Sequence, residues 1–343
     1  MKHRAFTRIQ IEKVFRWVWV FTPFLLSCSN PLGSSPTAQS NFLAQPNSNY
    51  CAGAALTNSP YAGGSGTSAN PYMICTTTQL SALAANSTDW GLQFKLMANI
   101  SLASTAFTMI GAPSPFNGVF DGNGYIISNL SLTSNSANFL GLFGHIGSAG
   151  VVKNLGVELS SVTTSNSNAP IGVFAGLNDG TITHCHSTGS VNANSYYAGG
   201  LVGENTGTIS QSYSQASVQN LNTGSGGLVG FHSSGSITNC YATGNITNGA
   251  SYAGGLVGII GGGSVSYSYS TGTVVMIGGT GGFIGSGTST HSFWDTQTSA
   301  RPTSSGAETG LSTSLMQTAS TFTSAGWDTT IWNIQNGQYP TLK

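Results

Sequence analysis

Apolar positions along most of this chain recur with a long period, not with the spacing of an amphipathic helix. The strings GGLVG at 199–203, 226–230 and 254–258 and GGFIG at 281–285 align with GVFAG ending at Gly176 and GLFG ending at Gly144. Their final glycines step by 32, 27, 27, 28 and 27 residues. A second half-motif follows: GTITHCHSTGSV from Gly180, GTISQSYSQASV from Gly207, GSITNCYATGNI from Gly235 and GSVSYSYSTGTV from Gly263. Each unit reads as short β-type segments separated by Gly, Asn and Ser corners. One unit cannot bury its own apolar face, but units stacked in register align Leu142, Phe174, Leu201, Leu228, Leu256 and Phe283 in one column. Ile182, Ile209, Ile237 and Val265 form a second column, and Val191, Val218, Ile246 and Val274 a third. Ile209 and Val218 differ by nine, so a corner or bulge must shift the strand phase between them.

The pattern predicts an all-β chain, a right-handed parallel β-helix in which each strand pairs with those about 4.8 Å above and below. The competing all-β reading, hairpins in a sandwich or barrel, calls for alternating complementary strands, not the same residues returning once per turn. The ends of such a solenoid need covers, because open strand edges recruit other chains. At the N-terminal end, Thr76-Thr77-Thr78-Gln79 reads as a capping box opening a short helix with Leu80 and Leu83 on one face. At the other end, Leu315-Met316 and the aromatic residues Trp327, Trp332 and Tyr339 are expected to plug the last coil. The resulting organisation is an N-terminal cap and first coils over 50–115, repeats over 116–300 and a C-terminal cap over 301–343.

Composition narrows the class. Only 5% of the 343 residues are charged, where about 25% is usual. With 47 Gly, 11 Pro and 10% aromatic residues the chain is neither collagen-like nor low-complexity. Nine basic residues offset nine acidic ones, which excludes the clustered positive charge that nucleic-acid binding requires. Five of those basic residues, Lys2, Arg4, Arg8, Lys13 and Arg16, precede an apolar run from Trp17 to Leu26 that is too short to span a bilayer. The run ends Leu25-Leu26-Ser27-Cys28 and resembles the bacterial lipobox, which implies a lipoprotein signal peptide over 1–27 and lipid attachment at Cys28. A flexible Ser-, Asn- and Pro-containing tether over 28–49 follows. Beyond it four basic residues face eight acidic ones, a formal balance of −4. The expected location is the bacterial cell envelope, at the outer membrane or cell surface, with the lipid as the membrane partner.

The GGLVG strings, followed by GTI or GSI and a Cys-Tyr or Ser-Tyr pair, resemble the GLUG-motif repeats of bacterial surface and secreted proteins. FNGVFDGNGYIISNLSL, from Phe116 to Leu132, is similar to the coil that commonly precedes such repeats in pectate-lyase-like β-helices. The tail from Gly310 through Gly326-Trp327-Asp328 to Leu342 is similar to the segment often found after them. Some GLUG-containing proteins are metallopeptidases; the HExxH motif of that chemistry is absent here.

Candidate chemistry is sparse. Cys51 and Cys75 are candidates for a disulfide across the N-terminal region, in a compartment that permits one. Cys185 and Cys240 occupy one repeat position two coils apart, beyond disulfide reach, and are expected as free, buried thiols. On the opposite parity His186, Tyr213, Tyr241, Tyr269 and Phe293 should stack as a ladder. Tyr213, Tyr241 and Tyr269 then either form a ligand-binding face for sugar rings or a protein, or stabilise the sheet by cross-strand stacking. Among the acids only Asp179 and Glu204 fall on neighbouring coils, with no basic partner. His184 and His186, two apart, lack a third metal ligand. The expectation is a monomeric, non-catalytic, adhesin-like protein without cofactor or metal, presenting its flank to glycan or host protein. The alternatives are a polysaccharide-degrading enzyme and a structural envelope spacer.

Overall fold

In the computed structural model the described residues are 51, 59–247, 251–275 and 279–343. The leader over 1–27, Cys28 and the tether lie outside them. Four strand segments make one coil. In a central coil they are Thr208–Ser210, then Tyr213–Ser214 with Ser217–Asn220, then Gly224–Gly226, then Val229–His232. Each segment pairs in parallel with its counterparts in the coils before and after it, which generates four sheets along one solenoid of about seven turns. We number the sheets 1 to 4 in that order. Sheet 1 has eight strands, from Tyr72–Ile74 to Ser264–Ser266.

The register is the one the repeats predict. Ile182, Ile209, Ile237 and Val265 are successive partners in sheet 1. Val191, Val218, Ile246 and Val274 are successive partners in sheet 2. The column from Leu142 to Phe283 is wholly buried. Truncating one such leucine to alanine costs about 2–5 kcal/mol, so each column is a major part of the fold's stability. The paired glycines of each motif have a steric cause: a Cβ on Gly200, Gly227 or Gly255 would run into the carbonyl oxygen of the next coil.

The phase shift between sheets 1 and 2 is made by one left-handed residue per coil. Asn154, His184, Gln211, Asn239, Tyr267 and His291 occupy this corner with φ between 46° and 54°. Asn and His are enriched in such a conformation but Gln211 and Tyr267 are not, so stacking of whole coils must hold those two there. A buried polar ladder supports the corner between sheets 4 and 1. Asn178 Nδ2 donates to Asn205 Oδ1 at 2.6 Å, and Asn205 Nδ2 donates to His232 Nδ1 at 3.0 Å. His232 Nε2 then donates to Ser264 O at 3.2 Å, which fixes the neutral tautomer. Burial pushes the His232 pKa below its ordinary value, consistent with that tautomer.

Helix α1 (Thr77–Ala85) begins at the Thr76 capping box, with both reciprocal hydrogen bonds formed to Gln79. It buries Leu80, Leu83 and Ala84 in the same core as Ile74 and Phe94. The C-terminal region departs from expectation. The backbone of 299–305 runs along the last coil: Val274 N donates to Ser299 O, Gly282 N to Thr303 O and Ser305 N to Ile284 O. The aromatic segment lies elsewhere. Helices α2 (Thr313–Met316) and α3 (Ala319–Ser324) and the antiparallel pair Trp332–Asn333 with Thr341–Leu342 pack on the outer face of sheet 2. Met316, Phe322, Trp327 and Trp332 form with Tyr213, Tyr241, Tyr269 and Phe293 a second apolar cluster, distinct from the solenoid's interior. The reason is area: the stacked rings of sheet 2 offer an apolar surface to cover, while the last coil is already occupied by its own loop.

Candidate functional site

Two outer faces of the solenoid carry aromatic side chains, and they differ in what lies over them. On sheet 2, His186, Tyr213, Tyr241, Tyr269 and Phe293 are register partners. The first four rings stack at 4.9, 4.6 and 5.0 Å, within 7° of parallel. Tyr213, Tyr241 and Tyr269 are only 6%, 4% and 2% exposed. Trp332 packs 6.1 Å from Tyr241 and 6.0 Å from Tyr269, and its Nε1 donates to Asn239 Oδ1 at 3.1 Å. The Tyr269 hydroxyl donates to Pro340 O at 2.7 Å. Burial pushes the Tyr213 phenol up to about 12 and the phenols of Tyr241 and Tyr269 further. The three tyrosines thus stand outside the solenoid core, yet no ligand reaches their faces while the C-terminal segment is in place.

At the start of this ladder His186 Nε2 lies 2.7 Å from Glu158 Oε1, and this hydrogen bond holds the Glu158 carboxyl below the ordinary carboxylate range. His184 is not on the same strand face as His186. It sits at the left-handed corner, its Nδ1 3.0 Å from Thr183 Oγ1, and the two histidines share only the lining of one shallow pocket. Among the described residues no group of three His, Cys, Asp or Glu side chains is placed to hold a metal. Cys51 and Cys75 are joined, with Cα atoms 5.5 Å apart. Cys185 and Cys240 are free and buried, and burial pushes both thiols up to about 12, which removes thiolate reactivity.

The second face is the outside of sheet 4. The residue that follows the last glycine of each motif points outward, so His145, Leu177, Glu204, Phe231 and Ile259 form a row in register. All five are half-buried. Asp179 stands at the corner beside this row. Its Oδ2 lies 2.7 Å from His145 Nε2, and its Oδ1 accepts from Thr206 Oγ1 at 2.6 Å. On the other side Tyr197 stacks on Phe231 at 4.5 Å. The next two register partners of Tyr197 are Gly224 and Tyr252, so the Tyr197 ring lies over the glycine and Tyr252 returns two coils on, 42% exposed.

Glu204 is set between Leu177 and Phe231. Among the described residues no group donates a hydrogen bond to its carboxylate. Burial, and secondarily the charge of Asp179, push its pKa up. The two carboxylates that sequence spacing brings together are therefore neighbours in opposite circumstances, Asp179 tied by two partners and Glu204 left open. A half-buried carboxylate beside stacked rings can accept hydrogen bonds or a positive charge from a ligand whose apolar face rests on the rings.

The partner missing from the sequence reading was His145, which precedes the regular repeats by a 32-residue step. Tyr197, Phe231 and Tyr252 were also overlooked, although Tyr-Ala-Gly-Gly occurs at both 197 and 252 and the position after each motif was there to be read as a column.

Known proteins resemble the chain in three ways. Residues 222–247 and 249–275 match the GLUG motif. Halomucin of Haloquadratum walsbyi is 35% identical over 147 residues, 40% of this chain and 2% of that protein. A protein of Evansella cellulosilytica provisionally named a Gly-rich membrane protein is 37% identical over 134 residues, 36% of this chain and 15% of the other. The chain thus spans only a small part of either relative. A crystal structure of a Bacteroides ovatus protein provisionally described as an immunoglobulin A1 protease shares the fold, with a TM-score of 0.65 over 82% of this chain and 94% of that one, at 21% identity. The GLUG motif is thus matched twice, within a solenoid whose unit recurs in register.

Proposed function

We propose that the protein is a non-catalytic component of the bacterial cell envelope, anchored through a lipid on Cys28, whose solenoid presents the outer face of sheet 4 as an adhesin-like surface for glycan or host protein. The observation that carries this reading is the half-exposed row His145, Leu177, Glu204, Phe231 and Ile259 with Tyr197 and Tyr252 alongside. Its aromatic and carboxylate groups are not used up by the fold. A membrane-protein relative accords with an envelope location. Right-handed winding, the usual sense of parallel crossovers, and α1 as a cap of the first coil belong to the same proposal.

The test is binding of the purified full chain to glycan and matrix-protein arrays, with protease shaving of intact cells that express it. A ligand lost in the Tyr252→Ala variant, together with loss of the protein on shaving, supports the reading. Blank arrays with an intact, protected protein overturn it and leave an envelope spacer. One observation favours a second reading, polysaccharide cleavage: Asp179 and Glu204 are adjacent carboxylates in unlike environments, as an acid and base pair would be. Release of new reducing ends from any polymer by the parent, abolished in Glu204→Gln, would replace the first reading with this one.

A further inference from the structure

The sheet 4 face restricts what can sit on it. Every strand within the row is hydrogen-bonded on both sides to neighbouring coils. The face therefore offers side chains only and no free backbone edge, which removes the usual way of docking an extended peptide. Aromatic side chains edge this face: Phe231 of the row stacks on Tyr197 of the adjoining sheet 3, and Tyr252 stands two coils from Tyr197 on that sheet, about 9.6 Å by strand spacing. A straight face edged by aromatic side chains suits a straight polymer whose C–H groups pack against them.

The charge on this face is one-sided. Glu204 and Asp179 are its acids, His145 is taken up by Asp179, and the described lysines and arginine lie elsewhere. Lys153 pairs with Asp121 on sheet 1, and Lys95 is also on that sheet. Arg301 Nε donates to Val274 O, and Lys343 Nζ donates to Thr329 O. Neutral hydroxyls would repay little of what it takes to bury the Glu204 carboxylate further, whereas a ligand cation would meet both the open carboxylate and the faces of Tyr197 and Phe231.

From this geometry we infer that the row centred on Glu204 binds a linear amino-sugar polymer lying along the solenoid axis, with a protonated amine at Glu204 and sugar rings against the Tyr197–Phe231 pair and against Tyr252. This rests on the binding-surface reading above and names its ligand class. The titratable groups around Glu204 are Asp179, His145 and Tyr197. Burial and Asp179 raise the Glu204 pKa, so affinity should grow as pH rises through that pKa and fall again where the amine loses its proton.

The experiment is calorimetric titration of the full chain with three probes of equal length: β-1,4-linked glucosamine oligomers, their N-acetylated counterparts and neutral gluco-oligomers. Binding of the glucosamine oligomer should be at least tenfold tighter than that of the other two, and that preference should vanish in Glu204→Gln. Tyr252→Ala, at an exposed position that leaves the fold intact, should weaken all binding several-fold. Equal affinity for the amine and N-acetyl forms, or an unchanged preference in Glu204→Gln with a native circular-dichroism spectrum, overturns the inference. If the N-acetylated or neutral probes, or a lysine-rich peptide, bind in a Tyr252-dependent way instead, the amino-sugar assignment fails while the binding surface stands. If none of the probes binds and the arrays are also blank, both fail together.

Discussion

The outer faces of sheets 2 and 4 are built by the same rule and end in different states. Each carries its outward side chains in a column set by parallel register and spaced by the rise of one coil, aromatic throughout the sheet 2 tyrosines and mixed on sheet 4. On sheet 2 the rings form an unbroken stack, and that stack is covered by Trp327, Trp332 and Tyr339. On sheet 4 the row is interrupted by Glu204, the Tyr197–Tyr252 column of the adjoining sheet 3 is interrupted by Gly224, and the face stays half-exposed. An uninterrupted aromatic stack is a surface that the chain itself can cover well. A column broken by a carboxylate is not, because covering it would bury an unpaired charge. What leaves a face uncovered here is thus its imperfection as a packing surface.

The sharpest way to break that comparison is to remove the cover. Trp332 is fully buried between the ladder and Trp327. Trp332→Ala should cost about 3–5 kcal/mol and free the C-terminal segment from sheet 2. Urea unfolding should show the loss, and limited proteolysis should cut within 312–343 before the coils. Quenching of tyrosine fluorescence by iodide should rise as Tyr241 becomes accessible. An unchanged midpoint with an uncut C-terminal segment would mean that the aromatic cluster does not hold the segment down, and the two faces would lose their distinction.

A smaller change asks whether the cover is keyed to the ladder or only rests on it. The Tyr269 hydroxyl is buried and donates to Pro340 O. Tyr269→Phe keeps the ring and its stacking on Tyr241 but deletes that hydrogen bond, at a cost of roughly 0.5–1.5 kcal/mol. Equilibrium unfolding of the two proteins measures it. A difference near zero would show that apolar contact alone seats the segment.

The repeat spacing made the interior legible because identical residues at equal intervals can be satisfied only by stacking. The three aliphatic columns, the Cys185 and Cys240 positions and the stack from His186 to Tyr269 all follow from that one fact. The Thr76 capping box was legible for a local reason, since its hydrogen bonds close within four residues. What covers an outer face was not legible. Tyr269 is separated from Pro340 by 71 residues and Asn239 from Trp332 by 93, and no periodicity connects them. The left-handed corner escaped for a different reason. The repeats fix where the phase must shift, but Gln211 and Tyr267 are poor indicators of positive φ, and the neighbouring coils impose it on them. On sheet 4 the acids Asp179 and Glu204 were visible as neighbours. Their unlike surroundings were not, because His145 comes from the irregular coil and Phe231 belongs to a column that the motif borders without including.

The smallest effect is also the most specific to the open face. The folded-state pKa of Glu204 is raised above its unfolded value, so the folded protein holds that proton more tightly than the unfolded chain. Ionised Glu204 therefore costs stability at neutral pH, and the cost disappears as pH falls through the folded-state pKa. Glu204→Gln removes the charge and keeps the shape. It should stabilise the protein by roughly 0.5 kcal/mol at neutral pH, the scale of a partly exposed substitution, and the gap between parent and variant should close as the pH is lowered. Glu158→Gln on the other face should behave in the opposite sense. The His186 hydrogen bond lowers the Glu158 pKa, so its contribution is present above the unfolded carboxylate pKa and lost as pH falls through the folded one. Unfolding midpoints of parent and both variants across the acid range would read the two slopes side by side. A Glu204→Gln variant that is less stable than the parent at neutral pH would mean that the carboxylate has a partner within the fold, and the row on sheet 4 would then be as fully committed to structure as the ladder on sheet 2.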